Sequence, residues 1–487
     1  MGPRESGPFK CLVQVMRRKK PIKKRRPAKA VKARTKARAK MSPPDSRYPA
    51  RSSRSHLISG LGGAIGRQVK IAGRVMDVAT DQFVLADESG TVQVRSAELP
   101  EKFSIVEVNG RVIKYEQGVL VELIDGRELA PVLREPKNSA FWERALFDQR
   151  YREIAAKRSR ILYETRKFFV KRGFLEVETP ALVAIPGMEP NLNPFETEII
   201  CRDRVKSRTY LITSPEYCLK KLLSAGFGNI FEISRCYRNG EEKSDLHNPE
   251  FLMLEWYRPY ASYLEIMDDV EALIRYLARS FKKEIANFRG IAVKLDAPFE
   301  RLSVTDAFLK YAAIDLEENL EADAMRKTLR AKGYRPGDRE TYEELFFRVF
   351  LNEIEPCLGR KTPTILHGYP SELAALAKRN SEDPRFAERF ELYIAGTEIA
   401  NAFTELNDPA EQKTRLQNEY LERKRRKKTL FGPDSDFLDA LLTGMPPSGG
   451  IALGLDRLIM VLLERNTIGE VRLFPATGLF PEVRGKK

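Results

Sequence analysis

No stretch of this chain narrows the possible folds as sharply as Phe231–Tyr257, FEISRCYRNGEEKSDLHNPEFLMLEWY. Two apolar runs, Asn229–Cys236 and Phe251–Tyr257, flank a polar connection. Both are rich in β-formers, which predicts strand, loop, strand. Arg238 and Asn239 stand where the first strand should end, and the loop holds Glu241, Glu242, Lys243 and Asp245. Phe251, Glu255 and Tyr257 are separated by even steps, so on a strand they share one face. That face would carry an aromatic platform and a carboxylate, with a guanidinium on the neighbouring strand. The combination suits a nucleotide, whose base stacks and whose phosphate needs a cation. Taken alone, the stretch reads equally as an amphipathic hairpin with a solvated loop.

Charge is unevenly placed. Of 84 Lys/Arg and 68 Asp/Glu in 487 residues, 16 basic residues and one acidic residue, Glu5, fall in positions 1–40. The remainder holds 68 against 67 and is near neutral. Electrostatic attraction to nucleic acid therefore belongs to the tail, residues 1–60, not to the body. Runs such as RRKKPIKKRRPAKAVKARTKARAK should be disordered. The tail reads as a nucleic-acid arm, as a solvated tail, or as sequence upstream of a start at Met41.

No apolar run approaches the roughly 20 residues of a membrane span, and Cys11–Met16 is too short for a signal-peptide core. The five cysteines are scattered, without CxxC or a Cys/His cluster, which fits a reducing cytoplasm. With three histidines, His56, His247 and His367, a His-based metal site or Ser-His-Asp triad is poorly supplied.

Residues 66–131 alternate apolar and polar positions between glycine-containing turns, predicting a five-stranded OB-type barrel at 66–135. Its aromatic supply, mainly Phe83, Phe103 and Tyr115, is thin for oligonucleotide stacking. From Tyr151 a helix is predicted with Ile154, Ile161, Leu162, Phe168 and Phe169 on one face and Gly173 ending it. Phe174–Pro180 reads as a strand stopped by proline. In Leu211–Leu223, Ser214 can cap a helix, Pro215 fits its first position and Glu216 its first turn. Residues 263–380 look mainly helical. Phe390–Glu405 reads as two strands around Ala395-Gly396, with Glu391 and Glu398 bracketing the turn. Converging carboxylates of this kind hold Mg²⁺ in phosphate sites, and scattered surface glutamates are the plainer reading. Gly444–Met460, GMPPSGGIALGLDRLIM, lets backbone approach a ligand closely before Asp456 and Arg457 open a buried helix. It lacks the Walker pattern.

Together FLEVETPAL, the Phe231–Tyr257 stretch and GIALGLDRLIM, in this order and spacing over 141–476, resemble the three motifs of class II aminoacyl-tRNA synthetases of the lysine subgroup. The resemblance implies an α+β fold: an antiparallel sheet with flanking helices over 141–487, usually a homodimer through the first motif. It implies ATP-dependent activation of lysine or β-lysine with Mg²⁺, and it carries roles onto residues. Arg238 and Arg457 would serve the reaction directly. Asn239, Glu241, Asn248, Phe251, Glu398, Ile399 and Gly454 would complete the ATP site. Ser214, Pro215, Glu216, Glu255, Tyr257, Asn401, Glu405 and Ala452 would hold the diamino acid, and Glu391 with Glu398 the metal.

Two members of the subgroup compete: lysyl-tRNA synthetase and its paralogue, which lysylates elongation factor P. Thr213–Glu216, Leu254–Pro259, Asn193–Thr197 and Ala452, where the tRNA enzymes place glycine, resemble the paralogue. They imply elongation factor P as acceptor, with tRNA as the alternative and RNA contacts through the tail or barrel. A catalytically inactive RNA-binding or regulatory relative is a third reading, opposed by the intact Arg238, Glu398, Glu405 and Arg457. As departures from the paralogue, Ala402 replaces the glycine usual in the N-G-F-x-E segment, and Arg238 to His247 is one residue longer than usual, so the role given to Glu241 could fall to Glu242.

Overall fold

The computed structural model describes residues 54–480, apart from 117, 138–140, 242–243 and 375. Most of the basic tail, and the Glu242 alternative to Glu241, lie outside the described residues. The chain divides into two compact units at Leu133/Arg134. Among the described residues no helix is long and apolar enough to cross a membrane.

The first unit is a closed barrel of β1 (Gln68–Val78), β2 (Gln82–Asp87), β3 (Gly90–Arg95), β4 (Ile105–Tyr115) and β5 (Gly118–Ala130), in the order β1-β2-β3-β5-β4. β4 pairs back onto β1, which closes the sheet and fits the OB fold. Alternation puts Val69, Ile71, Val75, Leu85, Val94, Val108 and Val112 inside. Phe83 and Phe103 are buried, so of the three aromatics only Tyr115 is exposed.

The second unit is built on a mixed sheet, and its remaining strands follow in chain order. They are β6 (Leu175–Glu176), β7 (Leu182–Val183), β8 (Glu196–Ile200), β9 (Lys206–Leu211), β10 (Ile230–Tyr237) and β11 (Glu250–Pro259). Next come β12 (Ile285–Phe288), β13 (Ile291–Lys294), β14 (Glu300–Ser303), β15 (Thr364–His367), β16 (Arg389–Ile394), β17 (Thr397–Thr404) and β18 (Ser448–Gly454). The large sheet runs β14-β15-β16-β17-β18-β11-β10-β6. The region 263–380, expected to be mainly helical, therefore also supplies two edge strands and the β12–β13 hairpin. They are four-residue strands inside charged, helix-like sequence, too short to show a period of two. The Phe174–Pro180 strand shrinks to Leu175–Glu176, paired in parallel with β10.

Both faces of this sheet are occupied, which is why FLMLEWY shows no clean polar alternation. Leu254 and Trp256 point into a core shared with Ile161, Phe168 and Phe169 of the Arg150–Lys171 helix, and with Ile266, Val270 and Leu458 of the Tyr263–Ser280 and Leu455–Leu463 helices. Phe169 stacks on Phe231 at 4.8 Å and meets Trp256 at 5.0 Å. Gly173, at φ +79°, ends the first of these helices as its sequence predicts. Ala402 also lies in this core, opposite Ile451, so the departure from glycine falls on the face away from the cavity described below. Ala395 and Gly396 both take positive φ (52° and 68°), giving the primed turn that joins β16 to β17.

Candidate active site

The opposite face of the sheet floors a cavity of about 880 Å³. Register fixes what lies there. One cross-strand row reads Glu391, Asn401, Ala452, Glu255, Glu232 across β16, β17, β18, β11 and β10. A two-residue step gives the next row: Arg389, Phe403, Gly450, Tyr257, Ile230. Ser214, Glu216, Arg238, Glu241, Asn248, Phe251, Glu398, Ile399, Asn401, Ala452, Gly454 and Arg457 all line the cavity.

At one end the residues suit a phosphorylated ligand. The Arg238 guanidinium lies over the Phe251 ring at 5.1 Å, and its Nε is buried without a hydrogen-bond partner. Arg457 Nη1 donates to the Glu398 carbonyl at 2.8 Å and is 3.6 Å from its carboxylate, while Nη2 meets His247 Nε2 at 2.8 Å. Burial and the two arginines hold His247 down at about 4, so it is neutral near pH 7. Asp456 fixes the start of the helix presenting Arg457: it accepts from Leu252 N at 2.8 Å and pairs with Arg158 (2.6 Å) and Arg472 (2.8 Å). Glu241 Oε2 stands 4.0 Å from His247.

At the other end acids converge. Glu255 is fully buried on the central strand; Ser214 Oγ donates to it at 2.6 Å and Tyr257 OH at 2.9 Å. Burial, then the nearby Glu216, pushes its carboxyl up to about 8. Ser214 also accepts from Glu216 N at 3.0 Å, so it both opens the Glu216–Ser224 helix and orients the acid. Pro215 occupies the N-cap position, one residue earlier than its sequence placement, and turns no group into the cavity. Glu405, just past β17, is 1% exposed and shares the Lys220 ammonium with Glu216, each at 2.6 Å. Burial pushes Glu405 up and Lys220 opposes the shift. A Cβ at Gly450 would lie 2.1 Å from Glu405 Oε1 and 2.4 Å from the Tyr257 ring, whereas at Gly454 its nearest neighbour is 3.6 Å away. The first glycine makes room for an acid and a tyrosine rather than for a ligand's approach; the second opens onto the cavity.

Other site residues stand as follows. Glu391 and Glu398 are close: burial, then the neighbouring Glu391, pushes the Glu398 carboxyl up. A bulge between Leu392 and Tyr393 offsets the pair, and the Glu391 carboxylate is taken by Arg389, by Tyr369 OH (2.6 Å) and by Tyr393 OH. Asn239 turns outward, its backbone bonded to Asn193. Asn248 lines the cavity, but its side chain already bridges Glu250 O and Ala476 N. Glu255 and Tyr257 are buried on the cavity face of the sheet, with Glu405 buried beside them.

Lys220 was missed, although its place four residues after Glu216 put both on one helix face. Glu189 and Glu419, whose carboxyls burial pushes up (Glu419 to about 8), were also missed. They come from a loop and from the Pro409–Arg425 helix with no local signal.

Residues 142–478 match the family described as tRNA synthetases class II (D, K and N). The chain is similar to a lysine–tRNA ligase of Magnetococcus marinus, 34% identical over 439 residues covering 84% of this chain and 86% of that one. It is also similar to a lysine–tRNA ligase of Staphylococcus aureus strain MW2, 37% identical over 319 residues, which are 65% of this chain and 63% of the relative's length. With more than half of its length matched, and the motif residues gathered on one face of one sheet, this chain belongs to the class II tRNA synthetases (D, K and N).

Proposed function

We propose that this chain activates lysine, or a closely related diamino acid, with ATP to form an aminoacyl adenylate. The observation that carries the reading is the pairing, in one cavity, of two unlike ends. Arg238 and Arg457 stand where a triphosphate needs charge balance. Glu216 lines the same cavity and the buried Glu255 and Glu405 adjoin it, where an amino acid with a second ammonium group needs acids. In this reaction an amino-acid carboxylate oxygen attacks the α-phosphorus, and pyrophosphate leaves with the electron pair of the broken P–O bond. The carboxylate is already a competent nucleophile, so position and charge balance do the work. A neutral His247 agrees with that economy. By resemblance to the family, Phe251 and Arg457 would bracket the adenine, Arg238 would meet the α-phosphate, and Glu398 with Glu391 would hold Mg²⁺.

The acceptor in the second step is, on this reading, the 3′ end of a tRNA. That is the activity named for the relatives, and the similarity to the Magnetococcus protein covers 84% of the chain, more than the second unit alone. A second acceptor, a lysine side chain of elongation factor P, is favoured by one observation. The Ala452 methyl stands between Asn401 and Glu255 in the row that floors the amino-acid end, where a narrower pocket favours β-lysine. The test is pyrophosphate exchange across a panel of amino acids, followed by labelled lysine and β-lysine offered with tRNA and with elongation factor P separately. Exchange with lysine and labelling of tRNA are expected. Exchange with no member of the panel would overturn the activation reading, and labelling of the protein alone would move the acceptor.

A further inference from the structure

The β11–β18 ladder ends at Met253 opposite Gly454. Phe251 lies beyond that point on one strand, and Arg457 lies beyond it on the helix that follows the other. Both line the cavity, so the ladder does not set their separation. Two side chains continue the join. Asp456 Oδ2 accepts from Leu252 N at 2.8 Å. Arg472 then spans the gap: Nη1 donates to the same oxygen at 2.8 Å and Nη2 to Glu250 Oε1 at 2.9 Å. Its side chain is 11% exposed. Glu250 and Leu252 flank Phe251, and strand alternation turns them to the opposite face of β11. Asp456 immediately precedes Arg457. The forked guanidinium thus holds, from behind, the neighbours of both cavity groups.

We propose that Arg472 is a positioning residue for nucleotide binding: it bridges Glu250 to Asp456 and so keeps the Phe251 ring and the Arg457 guanidinium at the separation a nucleotide needs. This rests on the nucleotide reading of that end of the cavity, though not on the chemistry of activation or on the acceptor.

Charge balance does not require the bridge. Without Arg472, Glu250 keeps Arg235 Nη1 at 2.7 Å. Asp456 keeps Arg158 at 2.6 Å as well as Leu252 N. Neither carboxylate is left uncompensated, so what the fork adds is the link itself. Joined only through Leu252 N, the start of the helix can pivot against the strand; a second link sets its orientation. The segment that carries Arg472 is anchored to the loop between β10 and β11. Ile468 N donates to the Asp245 carbonyl at 2.7 Å, and Ala476 N to Asn248 Oδ1 at 2.9 Å. Arg158 Nη1 also donates to the Val471 carbonyl at 3.3 Å. Arg472 therefore arrives on a fixed backbone and loses little freedom in making both bonds.

Calorimetric titration of the full chain with ATP, and separately with L-lysine, tests this. Arg472→Met should weaken ATP binding by about 10-fold and leave lysine affinity unchanged. Glu250→Ala cuts one arm of the fork and should weaken ATP by a similar factor. The double variant Arg472→Met/Glu250→Ala should bind ATP no more weakly than Arg472→Met, because both changes remove one bridge. A merely structural arginine would shift the urea midpoint with ATP affinity untouched, or weaken both ligands alike. Either result in folded Arg472→Met would overturn the proposal, as would penalties that add in the double variant. If Arg472→Met does not fold, Glu250→Ala decides: weaker ATP with unchanged lysine supports the proposal, and any other result overturns it. Wild-type chain that binds ATP yet exchanges no pyrophosphate would sink the activation reading and leave this inference standing, whereas wild-type chain that binds no ATP would overturn both.

Discussion

Glu255→Gln should make the protein more stable and less able to bind its amino acid. The folded chain holds the Glu255 carboxyl near 8, against an ordinary value of 4.5, because the residue is fully buried and Glu216 is close. Ionising it in the folded state is therefore disfavoured by about 5 kcal/mol relative to the unfolded chain. The sign follows from proton counts. Between pH 4.5 and 8 the folded chain keeps a proton that the unfolded chain has released, so stability falls as pH rises through that window and levels off above it. At pH 7 the loss is about 3 kcal/mol. Glutamine copies the protonated acid, since one amide oxygen and one N–H can still serve Ser214 and Tyr257. The variant should lack this pH dependence: equal to wild type at pH 4.5, more stable by about 3 kcal/mol at pH 7 and by about 5 kcal/mol above pH 8. Urea unfolding followed by fluorescence measures this, because Trp256 is buried beside Glu255 while the other tryptophan, Trp142, is half exposed. A variant that tracks wild type from pH 5 to 9, or is weaker at pH 8, would refute the reasoning.

Gly450→Ala should cost about 1–3 kcal/mol and abolish lysine binding, because its methyl overlaps Glu405 and Tyr257. Gly454→Ala, in ordinary contact, should fold normally, and urea midpoints with lysine titrations would separate the two. Arg238→Ala should lower pyrophosphate exchange by about 10²–10³-fold with stability within about 0.5 kcal/mol of wild type, since its buried Nε has no hydrogen-bond partner to lose among the described residues. Glu391→Ala should destabilise by about 3–5 kcal/mol, leaving Arg389 buried without its carboxylate. Glu398→Ala should instead reduce exchange with little change in the urea midpoint, since its carboxylate makes no buried ion pair of that kind.

How far the sequence reached depended on the range of the interaction. The Phe231–Tyr257 strands, the Arg150–Lys171 helix and the Ala395-Gly396 turn were legible because period, cap and positive φ are local properties. Glu255 and Tyr257 were placed on one face by counting in twos. The bulge between β16 and β17, which sets how Glu391 stands to Glu398, is invisible in sequence. The glycines of GIALGLDRLIM were legible as glycines but not in purpose, since the atoms that Gly450 accommodates come from Glu405 and Tyr257 on neighbouring strands. Lys220 carried a usable local signal, its i,i+4 spacing from Glu216. Glu189 and Glu419 carried none, because they reach the acidic end only through tertiary packing.

The acidic end and the aromatic core share strands, and this sharing explains how the fold tolerates so unfavourable a site. On β11 the residues alternate: Leu254 and Trp256 enter the core, while Glu255 and Tyr257 face the acids. Trp256 alone, fully buried against Phe169, brings about 3 kcal/mol of apolar burial to the strand that Glu255 weakens by a similar amount at neutral pH. The same alternation forbids relief by slippage. Moving β18 by one residue would put Ile451 in place of Ala452 between Asn401 and Glu255 and turn the acid-facing glycine into the core. Register is thus held by the hydrophobic face, and the charged face inherits geometry that it could not maintain alone. An ammonium-bearing guest would reverse the imbalance, because a cation beside Glu255 favours the ionised form that burial and Glu216 disfavour. On the proposed reading, selectivity for a diamino acid would follow from relief of the charge imbalance built into the sheet. A side chain of the same length without the second ammonium fills the volume but leaves the acids unpartnered.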